Sequence, residues 1–157
     1  MGIEPAFPKG AVAGQVLAFQ ERVEEATIYM LKYLGEELAA YAKDLHSYTD
    51  RTGNLTNSIG YAVVRRGTII NRGGGAAPGE GDDAALKAAT AYARTLDGTF
   101  SLIVVAGMNY AAYVEAKGYN VILPAELRAK TEVPKAMNLI VERAKAKARK
   151  MFGDVGL

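Results

Sequence analysis

The first third of the chain carries a long run of apolar residues with a helical period. From Gln15 to about Leu45 the apolar positions advance by three or four residues each time, which is the spacing of one face of an α-helix. Such a helix would be roughly 45 Å long, so we expect it to lie across the domain as a spine. Its main stripe consists of Val16, Phe19, Val23, Ala26, Met30, Leu34, Leu38, Tyr41 and Leu45.

Four apolar side chains of this helix, Leu17, Ile28, Leu31 and Tyr33, fall outside the main stripe. They either broaden the buried face or form a second face that contacts another subunit. Leu17, Ile28 and Leu31 are therefore candidate subunit contacts. Gly35 weakens the helix and marks a bend or a close crossing.

Shorter apolar runs in the middle of the chain predict a small sheet. Ile59–Val64 and Thr68–Asn71 flank Arg65-Arg66-Gly67 and are expected to form a hairpin. The apolar run Thr99–Ala106 is expected to be the central strand, and Tyr119–Ile122 a short strand or extended rung.

Two further helical segments follow the hairpin. Asp82 or Asp83 is expected to cap a short helix that continues to about Leu96. Pro124 opens a helical turn, and Thr131 caps a last helix. The buried stripe of that last helix is Val133, Met137, Ile140, Ala144, Ala148 and Met151.

These patterns predict an α+β fold, in which a small, mainly antiparallel sheet is packed by a long N-terminal helix and a C-terminal helix. Residues 1–14, which include Pro5, Pro8, Gly10 and Gly14, are expected to be an extended arm. The arm is either a loosely packed terminus or a segment that docks on a neighbouring subunit. Residues 15–152 form the single domain, and residues 153–157 are a C-terminal tail.

Composition indicates an ordinary globular protein without an obvious ligand. The chain has 157 residues, a formal net charge of +2 and no cysteine, which excludes disulfides and thiolate metal sites. We expect an intracellular protein, because no signal peptide and no membrane span is visible. Nine tyrosines and no tryptophan favour interfaces over a deep pocket.

Candidate chemistry is sparse. Asp44, His46 and Ser47 suggest a catalytic trio, but that spacing on a helix cannot bring all three side chains to one point. The glycine-rich segment Arg72–Asp83 lacks the phosphate-binding patterns and is predicted to be a mobile loop. The sequence therefore predicts neither an enzyme nor a cofactor nor a metal site.

The end of the last helix is basic, with Lys145, Lys147, Arg149 and Lys150. These cations either complement the helix dipole as a solvated end or contact DNA or an acidic partner. No aromatic residue is interleaved to stack bases, so sequence-specific binding is not expected. A small nucleic-acid-binding module that uses this helix is the alternative function, and a small-molecule enzyme is a third.

Two short blocks carry a family resemblance. The first is T-G-N-L-T-N-S-I, from Thr52 to Ile59, and the second is Y-A-A-Y-V-E-A-K-G, from Tyr110 to Gly118. Gly107–Gly118 is expected to form a tight corner after the strand and then a two-turn helix, with Asn109 as N-cap and Gly118 as a left-handed stop. In this order, the blocks resemble the HK97 gp10-like family of tailed-phage proteins. The residues that carry the resemblance are Thr52, Gly53, Leu55, Ser58, Tyr110, Tyr113, Val114, Glu115 and Gly118.

The resemblance implies a structural virion protein that acts in head–tail joining or tail completion. Subunits of such a protein form a ring, expected to be hexameric, between phage connector and tail-tube proteins, and DNA passes through its lumen. The resemblance also implies that the loop with Gly73, Gly74 and Gly75 bridges neighbouring subunits and orders on assembly. The expected location is the host cytoplasm during assembly and then the virion, at the head–tail junction or in the tail.

Overall fold

The computed structural model describes residues 10–75 and 80–153. The described chain is α+β, as the hydrophobic pattern predicts. In chain order the elements are α1 (Ala11–Asp44), α2 (Asn54–Asn57), β1 (Ile59–Arg65), β2 (Thr68–Gly73), α3 (Glu80–Ala93), β3 (Phe100–Ala106), α4 (Ala111–Ala116) and α5 (Leu123–Phe152).

The sheet has three antiparallel strands in the order β2-β1-β3. The prediction that Thr99–Ala106 is the central strand is therefore wrong, because β1 is central and β3 lies at an edge. The apolar run of β3 arises because both of its faces are covered. Leu102 and Val104 pack towards α1, and Val105 packs towards α3. A continuous apolar run indicates that both faces of a strand are buried, but it does not show whether the strand is central or at an edge of the sheet.

The predicted hairpin between β1 and β2 is confirmed. Arg66 and Gly67 both have positive φ, 49° and 77°, as the two central residues of a tight hairpin turn require. On β1, Ile59, Tyr61 and Val63 face the cluster under α1, as predicted from their alternation. Ala62 and Val64, on the other face of the strand, pack under α3, so β1 is buried on both faces.

Helix α1 begins at Ala11, four residues before the predicted start, so the extended arm cannot include residues 11–14. Leu31, Leu38, Ala39 and Ala42 of its C-terminal half share a core cluster with β1. The buried residues of the helix are Thr27, Leu31, Leu34, Gly35, Leu38, Ala39 and Ala42. Gly35 is a close crossing, because a Cβ there would lie 2.2 Å from a ring carbon of Tyr61. Leu45, placed in the predicted stripe, is exposed.

Helix α3 covers the other face of the sheet, mainly through its alanines Ala85, Ala89 and Ala93. It begins at Glu80, so neither Asp82 nor Asp83 is its cap and the predicted loop 72–83 is partly regular structure. Asp82 instead accepts hydrogen bonds from Nη1 of Arg72, 3.0 and 3.2 Å long, which tie α3 to β2.

Helix α5 is continuous from Leu123 to Phe152 with Pro134 inside it, so Thr131 does not cap a separate helix. Proline removes one intrahelical hydrogen bond, whose acceptor is the carbonyl four residues earlier. That carbonyl belongs to exposed Lys130, where water can satisfy it. Pro124 lies at the helix start, as predicted. Tyr119–Ile122 forms no strand, because its backbone leads directly into α5.

Three of the predicted segments lie partly outside the residues that the structure describes. Residues 1–9 of the expected arm, residues 76–79 of the glycine-rich segment and residues 154–157 of the tail lie outside the described ranges. Within those ranges, no helix is long and apolar enough to cross a membrane.

Candidate functional site

The end of the first block contacts the glycine that closes β3, three residues before the second block, although Ser58 and Gly107 are 49 positions apart. The backbone N–H of Gly107 donates to the Ser58 hydroxyl at 3.1 Å and to the Ser58 carbonyl at 3.2 Å. The hydroxyl in turn donates to the carbonyl of Leu55 at 2.8 Å. A Cβ on Gly107 would lie 1.7 Å from the carbonyl oxygen of Gly81. This junction, the motif corner, therefore joins β1, β3 and the start of α3 with no room for a side chain.

The first block forms the entry from α1 into the sheet. Gly53 has φ 74° and precedes α2, and Leu55 is buried in the core, as the block predicts. The Thr52 hydroxyl accepts a hydrogen bond from the N–H of Asn54 at 3.3 Å. These contacts give Thr52, Gly53, Leu55 and Ser58 structural roles.

Asp50, which the sequence did not single out, organises the same turn. One of its carboxylate oxygens accepts the backbone N–H of Thr56 at 2.8 Å. Partial burial acts to raise the pKa of Asp50, but the N–H donors of Thr56, Gly53 and Leu55 outweigh it, and the net shift is downward. An aspartate three positions before a turn-forming glycine, here Gly53, is the sequence signal for such a role.

Glu115 of the second block stabilises the start of α5. Its Oε1 accepts the backbone N–H groups of Val121, Ile122 and Leu123, at 3.4, 3.0 and 2.6 Å. These donors have no intrahelical acceptor at a helix N-terminus. Glu115 thus connects α4 with α5, and its role in this structure is positional.

The rest of the second block lies around α4. Gly118 has φ 87°, as the predicted left-handed stop requires. Asn109 is not the N-cap, since that position is Tyr110 and no side chain caps the helix. Val114 packs on the core, whereas Tyr113 is 64% exposed beneath the ammonium group of Lys117. Tyr110 and Tyr113 therefore remain on the surface.

The glycine-rich contact candidates lie beside α1. A Cβ on Gly73 would lie 2.6 Å from Oε1 of Glu36, and Lys43 donates to the carbonyl of Gly74. Tyr61 donates to Glu36 at 3.1 Å; burial and this carboxylate raise the pKa of Tyr61 to about 12. Burial also lowers the pKa of Lys43. Gly73 and Gly74 thus pack against their own chain, while Gly75 is exposed.

The three candidate subunit contacts on α1 differ in their burial. Leu31 is only 2% exposed and belongs to the core, so it cannot contact another subunit in this fold. Leu17 is 60% exposed, and Ile28 is half-buried. These two stay candidates for a subunit contact.

A large, mainly apolar groove lies between α1 and α5. The helices run antiparallel, because the rings of Phe19 and Phe152 meet edge-on at 6.1 Å while Arg128 lies over Tyr41 at 4.5 Å. Between them is a groove of about 590 Å³, the helix-pair groove. It is lined by Phe19, Arg22, Val23, Glu25, Ala26, Tyr29, Met30, Ile140, Arg143, Ala144 and Lys147. The predicted stripe of α1 contained four of these residues, Phe19, Val23, Ala26 and Met30, but the sequence did not show that the sheet leaves them uncovered.

The basic end of α5 does not form one stripe. Lys145, Lys147, Arg149 and Lys150 are all exposed. At 100° per residue, however, Lys147 and Lys150 project to the opposite side of the helix from Lys145 and Arg149. Lys145 lies 3.4 Å from Glu142, and Lys147 borders the helix-pair groove.

No convergent reactive group is evident in the described ranges. Ser47 accepts the N–H of Asn120 at 2.9 Å, and the His46 ring packs against Tyr48 with centroids 5.0 Å apart, so the trio does not assemble. Among residues 10–75 and 80–153, no histidine and carboxylate cluster could hold a metal ion.

Comparisons of the chain with known protein families, with curated proteins and with solved structures found no significant match.

Proposed function

We propose that the protein is a structural virion component of a tailed phage or prophage, which acts in head–tail joining or tail completion. Its work is mechanical, because subunits associate into a ring by head-to-tail contacts that close after a fixed rotation. The observation that carries this proposal is the apolar surface that the fold leaves uncovered along its two long helices. Exposed residues there include Val12, Val16, Leu17, Tyr29, Leu139, Val141 and Met151.

The packing of the two motif blocks supports the same proposal. The blocks that resemble the HK97 gp10-like family are distant in sequence, yet both contribute to one core cluster, the first through Leu55 and Ile59 and the second through Ala111 and Val114. Residues that pack in one cluster have a structural reason to occur together. The resemblance implies six subunits per ring, neighbouring connector and tail-tube proteins as partners, and DNA that passes through the lumen without sequence-specific contacts.

The test is the mass of the purified protein by light scattering, over a range of concentrations and with its neighbouring connector proteins added. We expect a closed ring, either of the protein alone or once a connector protein is present. Loops that order on assembly lose entropy, so the ring can require its partners. A chain that associates with none of them at any concentration would contradict the proposal.

A pair of substitutions separates the surfaces used in the ring. Leu17→Lys changes an exposed apolar residue of α1, whereas Tyr92→Lys changes one of α3 that is 58% exposed. Neither residue belongs to the core, so both variants should fold. We expect Leu17→Lys to weaken the assembly and Tyr92→Lys to leave it unchanged. Equal effects of the two substitutions would show that α1 has no special role.

A further inference from the structure

The helix-pair groove has a long apolar floor. Phe19 and Met30 lie at its two ends on α1, eleven positions apart, which makes the floor about 16 Å long. An apolar surface of this kind with a polar rim marks an interaction site. The floor is formed by six half-buried or exposed side chains, namely Phe19, Val23, Ala26, Met30, Ile140 and Ala144.

The rim of the groove on α5 is a row of cations. Arg143 and Lys147 border the groove. Lys150 continues the row, because residues seven positions apart lie on nearly the same side of a helix. All three side chains are exposed. The row is about 10 Å long, so it runs beside much of the floor.

The rim on α1 adds one more cation and one carboxylate. Arg22 and Glu25 both border the groove. Glu25 projects about 60° further around α1 than Arg22 does, which places it farther from the direction of the floor. The groove is therefore flanked by an excess of positive charge, and the nearest charges to the floor are cations.

The rim cations are not neutralised by the described part of the chain. Within residues 10–75 and 80–153, no ion pair includes Arg22, Arg143, Lys147 or Lys150. Lys145, which projects to the other side of α5, lies 3.4 Å from Glu142 of the same helix. An apolar floor beside unpaired cations is complementary to a surface that combines an apolar stripe with an acidic edge.

The chemistry of the floor favours a helix over an extended peptide. An extended segment would place its backbone N–H and C=O groups against a floor that has no polar side chain to bind them. A helix satisfies these groups internally and presents its apolar side chains at positions i, i+3 or i+4, and i+7. About three helical turns match the 16 Å of the floor.

We propose that the helix-pair groove binds an amphipathic helix of a partner protein, whose apolar stripe covers the floor and whose acidic edge faces the cations of α5. Acidic residues at positions i, i+4 and i+7 of that helix match the spacing of Arg143, Lys147 and Lys150. The inference goes beyond the proposed function, because such a helix can occupy the groove whether or not the chain forms rings.

Other occupants match the groove less well. A second copy would bring the same excess of cations to it, so that like charges would meet. A nucleic acid would pair with the cations but leave the apolar floor without a partner. Of the segments outside the described ranges, residues 1–9 contain one acid and one base, residues 76–79 neither, and residues 154–157 a single acid, which is too little negative charge.

The first test measures the binding of three synthetic peptides to the full chain by fluorescence anisotropy. The peptides share a leucine stripe and a length of about 18 residues, long enough to form a helix. They differ only at the three edge positions, which are glutamate, glutamine or lysine. We expect the glutamate peptide to bind about tenfold more tightly than the glutamine peptide and the lysine peptide to bind most weakly. The preference should shrink as salt rises.

The second test examines the floor with a neutral substitution. Ala26→Gln places a polar side chain on the floor, and Ala91→Gln places the same side chain on exposed α3. Both alanines are exposed and helical, so circular dichroism should show an unchanged fold. The glutamate peptide should bind at least about fivefold more weakly to Ala26→Gln and equally well to Ala91→Gln.

The third test reverses the rim. The double variant Arg143→Glu with Lys147→Glu should bind the lysine peptide more tightly than the glutamate peptide. A control with the same net charge, Lys87→Glu with Lys145→Glu, changes exposed lysines away from the groove and should keep the preference of the parent protein. An inverted preference cannot arise from loss of folding.

Three results would overturn the inference. The first is equal affinity for the three peptides, and the second is a preference that Arg143→Glu with Lys147→Glu leaves unchanged. The third is binding of duplex DNA through these cations by a protein that does not bind the glutamate peptide, which would assign the rim to nucleic acid. A ring that forms normally without peptide binding would overturn this inference alone. Groove-dependent peptide binding by a chain that never forms a ring would support it and contradict the proposed function.

Discussion

Gly35 of α1 lies against the ring of Tyr61 with no space for a methyl group, since an added Cβ would lie 2.2 Å from the ring. Overpacking of a core costs about 1–3 kcal/mol, while alanine favours a helix over glycine by up to about 1 kcal/mol. We expect Gly35→Ala to lower the free energy of unfolding by about 1–2 kcal/mol. Urea denaturation measures the change.

Gly14 provides the control in the same helix, because an added Cβ there meets nothing within 4 Å. Gly14→Ala should be neutral or should stabilise the protein by up to about 1 kcal/mol. If both substitutions stabilised the protein equally, α1 would not cross the sheet at Gly35 as the structure has it.

Glu115 serves three backbone N–H groups, those of Val121, Ile122 and Leu123. Glu115→Ala leaves these donors at the start of α5 without their acceptor, and loss of a helix cap typically costs about 1 kcal/mol. We expect the free energy of unfolding to fall by about 1–2 kcal/mol, measured by thermal or urea unfolding. Glu142→Ala, at an exposed position in the same helix, is the control and should change it by less than about 0.5 kcal/mol. If Glu115→Ala and Glu142→Ala lowered the free energy of unfolding equally, Glu115 would not have the capping role assigned to it.

At the scale of the element, Asp50 makes the turn before β1 sensitive to acid. Its carboxylate accepts backbone N–H groups near α2, and its pKa in the folded protein is lowered. A folded pKa below the unfolded value of about 3.9 stabilises the fold above that pH, and this stabilisation is lost as the pH falls through the folded pKa.

The measurement is urea unfolding of the protein and of Asp50→Asn at neutral pH and below pH 4. The parent protein should lose more stability on acidification than the variant, because the asparagine side chain does not titrate. An NMR titration of the Asp50 carboxyl should give a pKa below about 3.9. Equal acid sensitivity of the two proteins would contradict the role assigned to Asp50.

Local patterns predicted the elements better than their arrangement. The β1–β2 hairpin follows from two alternating runs around Arg66 and Gly67, and both of those residues have the positive φ that the turn needs. The strand order could not be predicted. The apolar run of β3 indicates that both of its faces are buried, but it does not show which strand β3 pairs with. Thr131 was predicted to cap a separate last helix, yet α5 continues through it and through Pro134, whose missing N–H frees only the carbonyl of the exposed residue Lys130.

The surfaces proposed for assembly were also only partly predictable, because they depend on how the elements pack against one another. Periodicity showed that α1 has more apolar residues than one narrow face needs, but it could not show which of them the core covers. In the structure Leu31 is buried and Leu17 is exposed, because the sheet covers only the second half of the helix. The helix-pair groove depends on the register of α1 with α5, which is set by contacts such as Phe19 with Phe152.

At the scale of the whole molecule, the weak net charge bears on DNA binding. The formal net charge is +2, and the basic residues of α5 project to both sides of that helix. We expect only sequence-independent DNA binding, which fluorescence anisotropy should show to weaken steeply as salt rises. Replacement of Lys145, Lys147, Arg149 and Lys150 by glutamine should abolish it. Tight binding that prefers one sequence would favour the nucleic-acid-binding alternative.

The apolar surface left uncovered along the two long helices also predicts that the thermal stability of the protein depends on its concentration. Any partner that binds only the folded chain stabilises it by mass action, by about 2.7 kcal/mol at one hundred times the dissociation constant. For a chain of this size each kcal/mol shifts Tm by about 2–4 °C. Scanning calorimetry from well below the dissociation constant to about one hundred times above it should therefore raise Tm by about 5 °C or more. Ala26→Arg should show a smaller rise if the groove is the contact, and a Tm independent of concentration would mean that the long helices remain uncovered in the isolated protein.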